Sequence, residues 1–337
     1  MLRFNGPWNR GSVLLRHQAA GPFGGLVVVL VLLSSMSAGA DTDAQPAAET
    51  HELRRELAGH NFIPSRFFLD PFVSTYVGSE TGFGYGWAQG RTFDVNGIPI
   101  SIANYQVGAF AQVLDYQYGF LAWWAVRVSA KLVLYSGINS SGVAGVGTNF
   151  GANPSIGTTV SFRVGENLRL GGTLDLTFGP AVFFNLVQAV KDSINSGEIQ
   201  SPVNSSSVFT LKPAFVGAWA INKAVGMTFS LEYKYTSVSG GTAGGSANLF
   251  QSSVLFDFDM NALNWVPIGF IGGFQTQFSV GDTKFREFQY NFGIFYTAVK
   301  PLNVGLEVVY NRAPVVGNTE IFLSSLLGLI VIQYNFN

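Results

Sequence analysis

The sequence predicts an all-β protein, a transmembrane antiparallel up-and-down β-barrel of about 12 strands that follows a cleaved signal peptide. Of its 337 residues, 47% are hydrophobic and only 12% are charged, whereas soluble domains have about 25% charged residues. The longest uninterrupted apolar run, Leu26–Leu33, is far shorter than the ~20 residues of a membrane-spanning helix. Over most of the chain, apolar and polar residues alternate instead, as they do in strands with one apolar face.

Residues 1–40 have the features of a secretory signal peptide. Arg3, Arg10 and Arg16 precede the apolar run, and small residues at positions 38 to 40 form a cleavage site before Asp41. An uncleaved amphipathic anchor is the alternative. Subtracting the three arginines from 19 basic residues leaves 16 against 20 acidic ones, so the mature chain has a net charge of −4. With no polybasic segment, we expect no nucleic-acid partner.

Residues 41–66 are mostly small or charged, and we interpret them as a periplasmic leader in front of a barrel that spans residues 67–337. Within this leader, residues 49–57 form a candidate short helix that ends at Gly59. Leu53 and Leu57 are too few to make a strongly packing apolar face. A docking or partner-binding role is the alternative.

The alternation is regular enough to delimit strands. From Val225 to Ser237, apolar residues occupy one parity and polar residues the other, and a strand places the two sets on opposite faces. The pattern predicts twelve strands, at residues 72–87, 102–116, 122–136, 155–164, 167–179, 206–220, 224–238, 248–260, 265–280, 286–298, 302–311 and 320–336. An even number of strands suits a closed outer-membrane barrel. The links between the strands are alternately short and long, as expected for periplasmic turns and external loops. The link at 281–285 is too short to assign to a side.

A soluble β-sandwich is the alternative fold, because its strands also alternate. The predicted strands, however, reach about 11–16 residues, against the usual ~5–6. Tryptophan also clusters near the ends with short links, at Trp123, Trp124, Trp219 and Trp265. Such an aromatic girdle is expected at a membrane interface.

The final strand carries an apolar and aromatic face made by Ile330, Ile332, Tyr334 and Phe336. This face is similar to the C-terminal insertion signal of bacterial outer-membrane β-barrels, although Asn337 follows the last aromatic residue. Residues 67–337 thus resemble outer-membrane barrels of the porin and transporter type. The segment 118–127 more faintly resembles transporters of the phenol-degradation type. The resemblance implies a Gram-negative outer membrane, surrounding outer-membrane lipid, and recognition of the last strand by the barrel-assembly machinery.

Function in such a barrel depends on the side chains that face the lumen. Alternation places basic residues inward on predicted strands three to six and acidic residues inward on strands seven to eleven. The basic set is Arg127, Lys131, Arg163, Arg169 and Lys212, and the acidic set is Glu232, Asp257, Asp259 and Glu307. Opposite charges on opposite walls would create a transverse field that orients polar solutes. The alternative is a ladder of interior ion pairs, for which Asp175 and Lys234 supply partners.

The longest predicted loop, at residues 180–205, contains a candidate constriction or ligand site. Its apolar residues are Phe183, Phe184, Leu186, Val187, Val190 and Ile194. Four of these recur at helical spacing before Gly197, a potential helix C-cap. Such a helix could enter the barrel mouth, bind a hydrophobic solute, or pack over neighbouring loops.

We expect neither an enzyme nor a cofactor or metal site. Known twelve-stranded barrel enzymes use a catalytic histidine, and the histidines here, His17, His51 and His60, all precede the predicted barrel. Asp257 and Asp259 could form a metal-binding or acid/base pair, but we interpret them as lumen lining.

The favoured function is therefore a channel or facilitator for passive passage of small solutes through a narrow polar lumen. A non-conducting barrel that serves as a structural or assembly component of the envelope is the alternative, and a transporter of a small hydrophobic compound is a further one. The lipid face would be the same in a monomer and a trimer, so the oligomeric state stays open.

Overall fold

A computed structural model of the protein describes residues 55–93, 99–139, 145–184, 203–239, 245–280, 286–315 and 318–336. Twelve antiparallel strands, β3 to β14, form a closed barrel in which each strand pairs with its neighbours in sequence and β14 pairs with β3. Their bounds are β3 Thr75–Phe93, β4 Pro99–Leu121, β5 Trp124–Asn139, β6 Gly145–Arg163, β7 Leu168–Phe184, β8 Val203–Ala220, β9 Val225–Ser239, β10 Gly245–Asp259, β11 Ile268–Ser279, β12 Arg286–Tyr296, β13 Leu302–Val315 and β14 Asn318–Phe336. The predicted twelve-stranded up-and-down barrel is confirmed.

The strands run between two ends of the barrel, which are named here by the residues that they hold. We call the end that holds Thr75 and Phe336 the base and the opposite end the mouth. Several strands extend farther toward the mouth than the alternation predicted; β6, for example, begins at Gly145 rather than at residue 155. Backbone pairing with both neighbours continues there without an alternating pattern of side chains. The link between β11 and β12, which the sequence left unassigned, lies at the mouth.

The outer surface of the barrel is an apolar belt. Exposed side chains on the outward parity include Phe83, Leu114, Val128, Phe178, Phe256, Leu306 and Ile330. Trp123, Trp219 and Trp265 are exposed near the base, as expected for an aromatic girdle at an interface. A belt of this extent is unfavourable in water and is the surface that a lipid-embedded barrel needs.

Among the residues that the structure describes, no helix is long and apolar enough to cross a membrane. Residues 1–54, which comprise the predicted signal peptide and the first part of the predicted leader, lie outside the described ranges.

The segment before the barrel, residues 55–74, enters the lumen from the base, and we call it the plug. It begins with a two-stranded hairpin of β1 Glu56–Leu57 and β2 His60–Asn61. Ala58 and Gly59 connect the strands with φ angles of 48° and 80°, the left-handed conformation of a tight hairpin turn. Glu56 and Leu57 are thus in a strand rather than in the expected helix, because pairing with β2 buries Leu57.

The plug packs against the inward faces of the strands through two apolar clusters. Ile63 and Phe68 pack with inward-facing residues of β10, β11, β12 and β14, namely Leu255, Ile271, Phe295, Leu329 and Val331. Leu57, Phe62 and Phe72 pack with Ala218 and Ala220 of β8. The base of the lumen is therefore filled by a core, whereas the sequence predicted a polar lumen throughout. The barrel wall itself begins at Thr75, several residues after the expected boundary at 67.

Candidate functional site

Arg66 is the main polar anchor of the plug. Its guanidinium forms ion pairs with Asp115 of β4 and with Glu80 of β3, where Arg66 Nε lies 3.0 Å from Glu80 Oε1. The guanidinium carbon also lies 5.3 Å from the centre of the Tyr76 ring. All of these side chains are largely buried. Removing one partner from a buried ion pair leaves an uncompensated charge and costs about 3–5 kcal/mol.

A second anchor joins His60 of the plug to Asp257 of β10. His60 Nε2 contacts the Asp257 carboxylate, and His60 Nδ1 lies 3.2 Å from the carbonyl oxygen of Lys223, in the turn between β8 and β9. Both side chains are completely buried. The expectation that every histidine lies outside the barrel therefore fails for His60. Because the pair is sealed from solvent, it holds the plug and offers no access to a substrate.

Protonation of His60 should stabilise the plugged state. Burial by itself lowers the pKa of His60, but the hydrogen bond and charge of Asp257, the Lys223 carbonyl and the charge of Asp259 outweigh it, so the pKa lies above its ordinary value of 6.5. The resulting stabilisation is fully present below the unfolded pKa of 6.5. It is lost as the pH rises through the higher pKa of the folded state.

We therefore expect the plug to leave its seat more often as the pH is raised above 6.5. Labelling of a Ser65→Cys variant by a soluble maleimide, relative to labelling of a free thiol at the same pH, should become faster. The increase should be smaller when His60 is also replaced by glutamine, which cannot gain the proton. An equal pH dependence in both proteins would contradict a role for this histidine.

The third anchor is a hydrogen-bonded cluster around Glu307 of β13. Ser65 of the plug donates its hydroxyl proton to Glu307 Oε2 at 3.1 Å, and Asn291 Nδ2 of β12 donates to both, at 3.0 Å to Ser65 Oγ and 2.9 Å to Glu307 Oε2. Two of the four acidic residues predicted to line the lumen, Asp257 and Glu307, therefore bind the plug instead.

Asp259 has a different role, since it stabilises a turn at the base. Its Oδ1 accepts hydrogen bonds from Thr297 Oγ1 at 2.8 Å and from the backbone N–H of Asn261 at 3.0 Å. Asp257 and Asp259, although they share one strand face, thus have separate partners. Within the described residues, no group of acidic or histidine side chains is arranged to hold a metal ion.

Inward-facing glycines provide the space that the plug occupies. A Cβ atom at Gly226 of β9 would overlap the rings of His60 and Phe62, and one at Gly273 of β11 would overlap Phe68. Gly78 of β3 makes the corresponding space for the Arg66 guanidinium. The lumen is shaped around this segment, because any larger residue at these positions would force the plug or the wall to move.

Between the plug and the inward faces of β3 to β8 and β14, the lumen contains a cavity of about 290 Å³ that we call the chamber. Its plug side is formed by residues 64–67, Arg55, Leu69 and Asp70. Its walls include Glu80, Asp115, Arg127, Ser129, Lys131, Asn153, Asp175, Lys212, Leu327 and Leu329. The chamber is thus polar on most sides and has one apolar wall on β14.

One ion pair of the chamber joins two residues that the sequence places on the inward faces of their strands. Arg127 Nη2 donates to both carboxylate oxygens of Asp175 at 2.8 Å. Gly157 lies between them on β6, in register with both residues. A side chain at Gly157 would collide with the Asp175 carboxylate. Because Gly157 has no Cβ, Arg127 of β5 can reach across β6 to Asp175 of β7.

The remaining predicted lumen residues divide between the chamber and the base. Lys131 and Lys212 line the chamber, and Lys234 and Glu232 lie on the neighbouring strand β9. Arg163 is exposed at the base, where it donates to the carbonyls of Gly165 and Glu166, because its inward parity falls at the end of β6 and the nearest acceptors belong to the turn.

Arg169 is also near the base rather than in the chamber. Its Nη2 donates to the carbonyl of Ala122 at 2.9 Å, and its Nε donates to Ser161 Oγ at 2.9 Å. The guanidinium carbon lies 5.9 Å from the centre of the Phe72 ring in the plug. Arg169 thus supports the base of the barrel and contacts the plug, in place of the expected lumen lining.

The predicted loop site is placed only in part. Phe183 and Phe184 belong to β7 and pair with Asn204 and Val203 of β8, so they are not part of a loop helix. Backbone pairing continues beyond Pro180 and overrides the helical spacing of the apolar residues. Leu186, Val187, Val190 and Ile194 lie outside the described residues.

The alternation of the strands does not predict the plug, although two signals in the sequence point to it. Glu80 and Asp115 face inward on strands that carry no basic residue of the same parity, and Leu255, Ile271 and Phe295 place apolar side chains on the inward parity. A lumen wall that combines these acids with large apolar residues favours a segment that fills the lumen.

No family model and no curated protein matches the chain. Among solved structures, it is similar to the translocator domain of the autotransporter NalP from Neisseria meningitidis, with 9% identity and a TM-score of 0.45 over 78% of this chain and 88% of that one. It is also similar to a FadL homologue from Pseudomonas aeruginosa, with 8% identity and a TM-score of 0.45 over 84% and 97% of the two chains. The NanC porin matches with 10% identity and a TM-score of 0.40 over 76% and 100%. These structures belong to the class that the sequence resembles, the outer-membrane β-barrels.

Proposed function

We propose that the protein is a facilitator for passive passage of small polar solutes across a Gram-negative outer membrane and that the plug gates it. The observation that carries this proposal is the polar chamber inside a closed barrel, one side of which is formed by the plug instead of the wall. A pathway through the barrel therefore needs no break in the ladder of strands. Within the part of the barrel that the structure describes, it requires that residues 55–74 move toward the base.

The contacts of the plug are compatible with such a movement. Its polar anchors, Arg66, His60 and Ser65, bond to side chains of the wall that water can hydrate once the plug leaves. At its C-terminal side the plug is tethered covalently to β3 at Thr75. At its N-terminal side the hairpin meets the base through the exposed ion pair of Glu56 with Lys300, whose Nζ and Oε2 are 3.2 Å apart, a contact of small energetic weight.

A non-conducting barrel in a structural role is the second candidate. The two apolar clusters between plug and wall favour it, because they bury large side chains such as Phe62, Phe72 and Phe295 almost completely. Burying each side chain of this kind stabilises the plugged state by about 1.5–3 kcal/mol. A facilitator requires that the plug leaves its seat in spite of this stabilisation, whereas a structural barrel requires that the plug stays in place.

Solute influx into proteoliposomes tests the proposal. Vesicles that contain the mature chain should admit small solutes such as glycerol and acetate faster than empty vesicles, and the rate should increase with the amount of protein. Influx equal to that of empty vesicles, both for the wild type and for a variant with a weakened plug, would contradict the proposal and favour the structural role.

A further inference from the structure

Two lysines face each other across adjacent strands in the middle of the lumen. The pairs Leu211 with Tyr235 and Ala214 with Glu232 fix the register of β8 against β9, so Lys212 lies directly opposite Lys234. The ladder is interrupted at this point, where Pro213 has no N–H to donate. Like charges placed directly opposite destabilise a sheet, and the arrangement therefore needs a reason other than stability.

The natural acidic partner of Lys212 is already engaged. Asp175 lies opposite Lys212 on the other side, in β7, but both of its carboxylate oxygens accept hydrogen bonds from Arg127. Glu232 is one pleat away from Lys234 and can compensate only one of the two charges.

Lys131 adds a third positive charge from β5, on the chamber wall. Its acidic neighbour Glu80 is held by Arg66 of the plug. Among the described residues, none of the three lysines forms an ion pair, because no carboxylate oxygen lies within 4.0 Å of its Nζ. The acids that line the chamber, Glu80, Asp115 and Asp175, are thus paired within the protein, whereas its two lysines, Lys131 and Lys212, are not.

The opposite side of the chamber is apolar. Leu327 and Leu329 of β14 and Phe67 of the plug lie along it. A ligand that matched both sides would carry a negative charge at one end and a short apolar body at the other. The volume of about 290 Å³ limits it to a small molecule.

We propose that Lys131 and Lys212 on the chamber wall, with Lys234 beside Lys212 on β9, form a binding site for the carboxylate group of a small organic acid. The ligand's carboxylate supplies the charge-assisted hydrogen bonds that the lysines lack. Its apolar body lies against the leucines of β14. The inference rests on the proposed function, since it names the class of solute that the facilitator passes.

Equilibrium binding tests the site without requiring passage. The folded mature chain in detergent is titrated calorimetrically with benzoate and, as a neutral molecule of the same shape, with benzamide. Benzoate should bind and benzamide should bind at least tenfold more weakly. The substitutions Lys212→Met and Lys234→Met, which keep the length of the side chain, should each weaken benzoate binding about tenfold or more. The matched control Arg163→Met removes an exposed positive charge that bonds to turn carbonyls at the base, and it should leave binding unchanged.

Equal binding of benzoate and benzamide, or equal loss in all three variants, would overturn the site. Circular dichroism of each variant verifies that the barrel is folded. If benzoate binds as expected while proteoliposomes remain impermeable, the site stands and the proposed passage fails. If solutes pass but benzoate binding does not depend on Lys212 and Lys234, the facilitator stands and the site fails.

Discussion

Replacing Arg66 by methionine is expected to shift the barrel strongly toward the open state. The variant leaves Asp115 and Glu80 without their cation while the plug is in place. The loss of a buried partner costs about 3–5 kcal/mol, and the two carboxylates recover hydration when the plug leaves. Since about 1.4 kcal/mol changes an equilibrium tenfold, the ratio of open to closed barrels should increase more than a hundredfold. Single-channel recording of the chain from residue 41 in a planar bilayer measures this ratio.

Arg163→Met is the matched control for this experiment. Arg163 also has the inward parity, but it bonds to turn carbonyls at the exposed base and has no contact with the plug. Its replacement should leave the open probability unchanged. If folded Arg66→Met protein opened no more often than the wild type, the plug would be held by its apolar contacts and Arg66 would not act as its anchor.

Replacing Gly273 by valine is expected to expel the plug from its seat. The added side chain would overlap the Phe68 ring and approach Leu255, and overpacking of this kind costs about 1–3 kcal/mol. The chain has no cysteine, so a single Ser65→Cys substitution reports on the plug by its reaction with a soluble maleimide. Ser65 is only 7% exposed, and the reaction should be slow in the parent protein. With Gly273→Val, labelling should be about tenfold faster or more.

The adjacent residue supplies the control. A Cβ at Gly272 would meet nothing within 4 Å, since Gly272 has the outward parity, and valine suits a strand. Gly272→Val should therefore leave the labelling of Ser65→Cys unchanged. Equal acceleration by both substitutions would indicate a general loosening of β11 and would contradict the assignment of Gly273 as a seat for Phe68.

The wall of the barrel could be predicted from the sequence because one physical rule governs it. Every strand must present apolar side chains to lipid on alternate positions, so segments such as 225–237 reveal both their conformation and their outer face. The inward direction of Arg127, Asp175 and Lys212 followed from the same rule, because a slip of one residue would turn a whole apolar row into the lumen.

The plug could not be predicted in this way because its contacts are not periodic. His60 meets Asp257 at a separation of 197 residues, and Ser65 meets Glu307 at a separation of 242. Alternation states only that Asp257 faces inward. What it faces depends on the path of residues 55–74, which have neither the period of a strand nor that of a helix. Parity alone also did not predict the position of Arg163. This residue lies at the end of β6, where its side chain bonds to the carbonyls of the following turn.

A reversible covalent lock on the plug tests gating most directly. Ser65 Oγ and Asn291 Nδ2 are 3.0 Å apart, so cysteines at these two positions, the only ones in the chain, can be joined by a short bifunctional methanethiosulfonate reagent. We expect the locked barrel to show no conductance steps in a planar bilayer and to regain them when dithiothreitol releases the link. Steps of unchanged amplitude and frequency with the link intact would contradict the claim that solutes pass the barrel only when the plug moves.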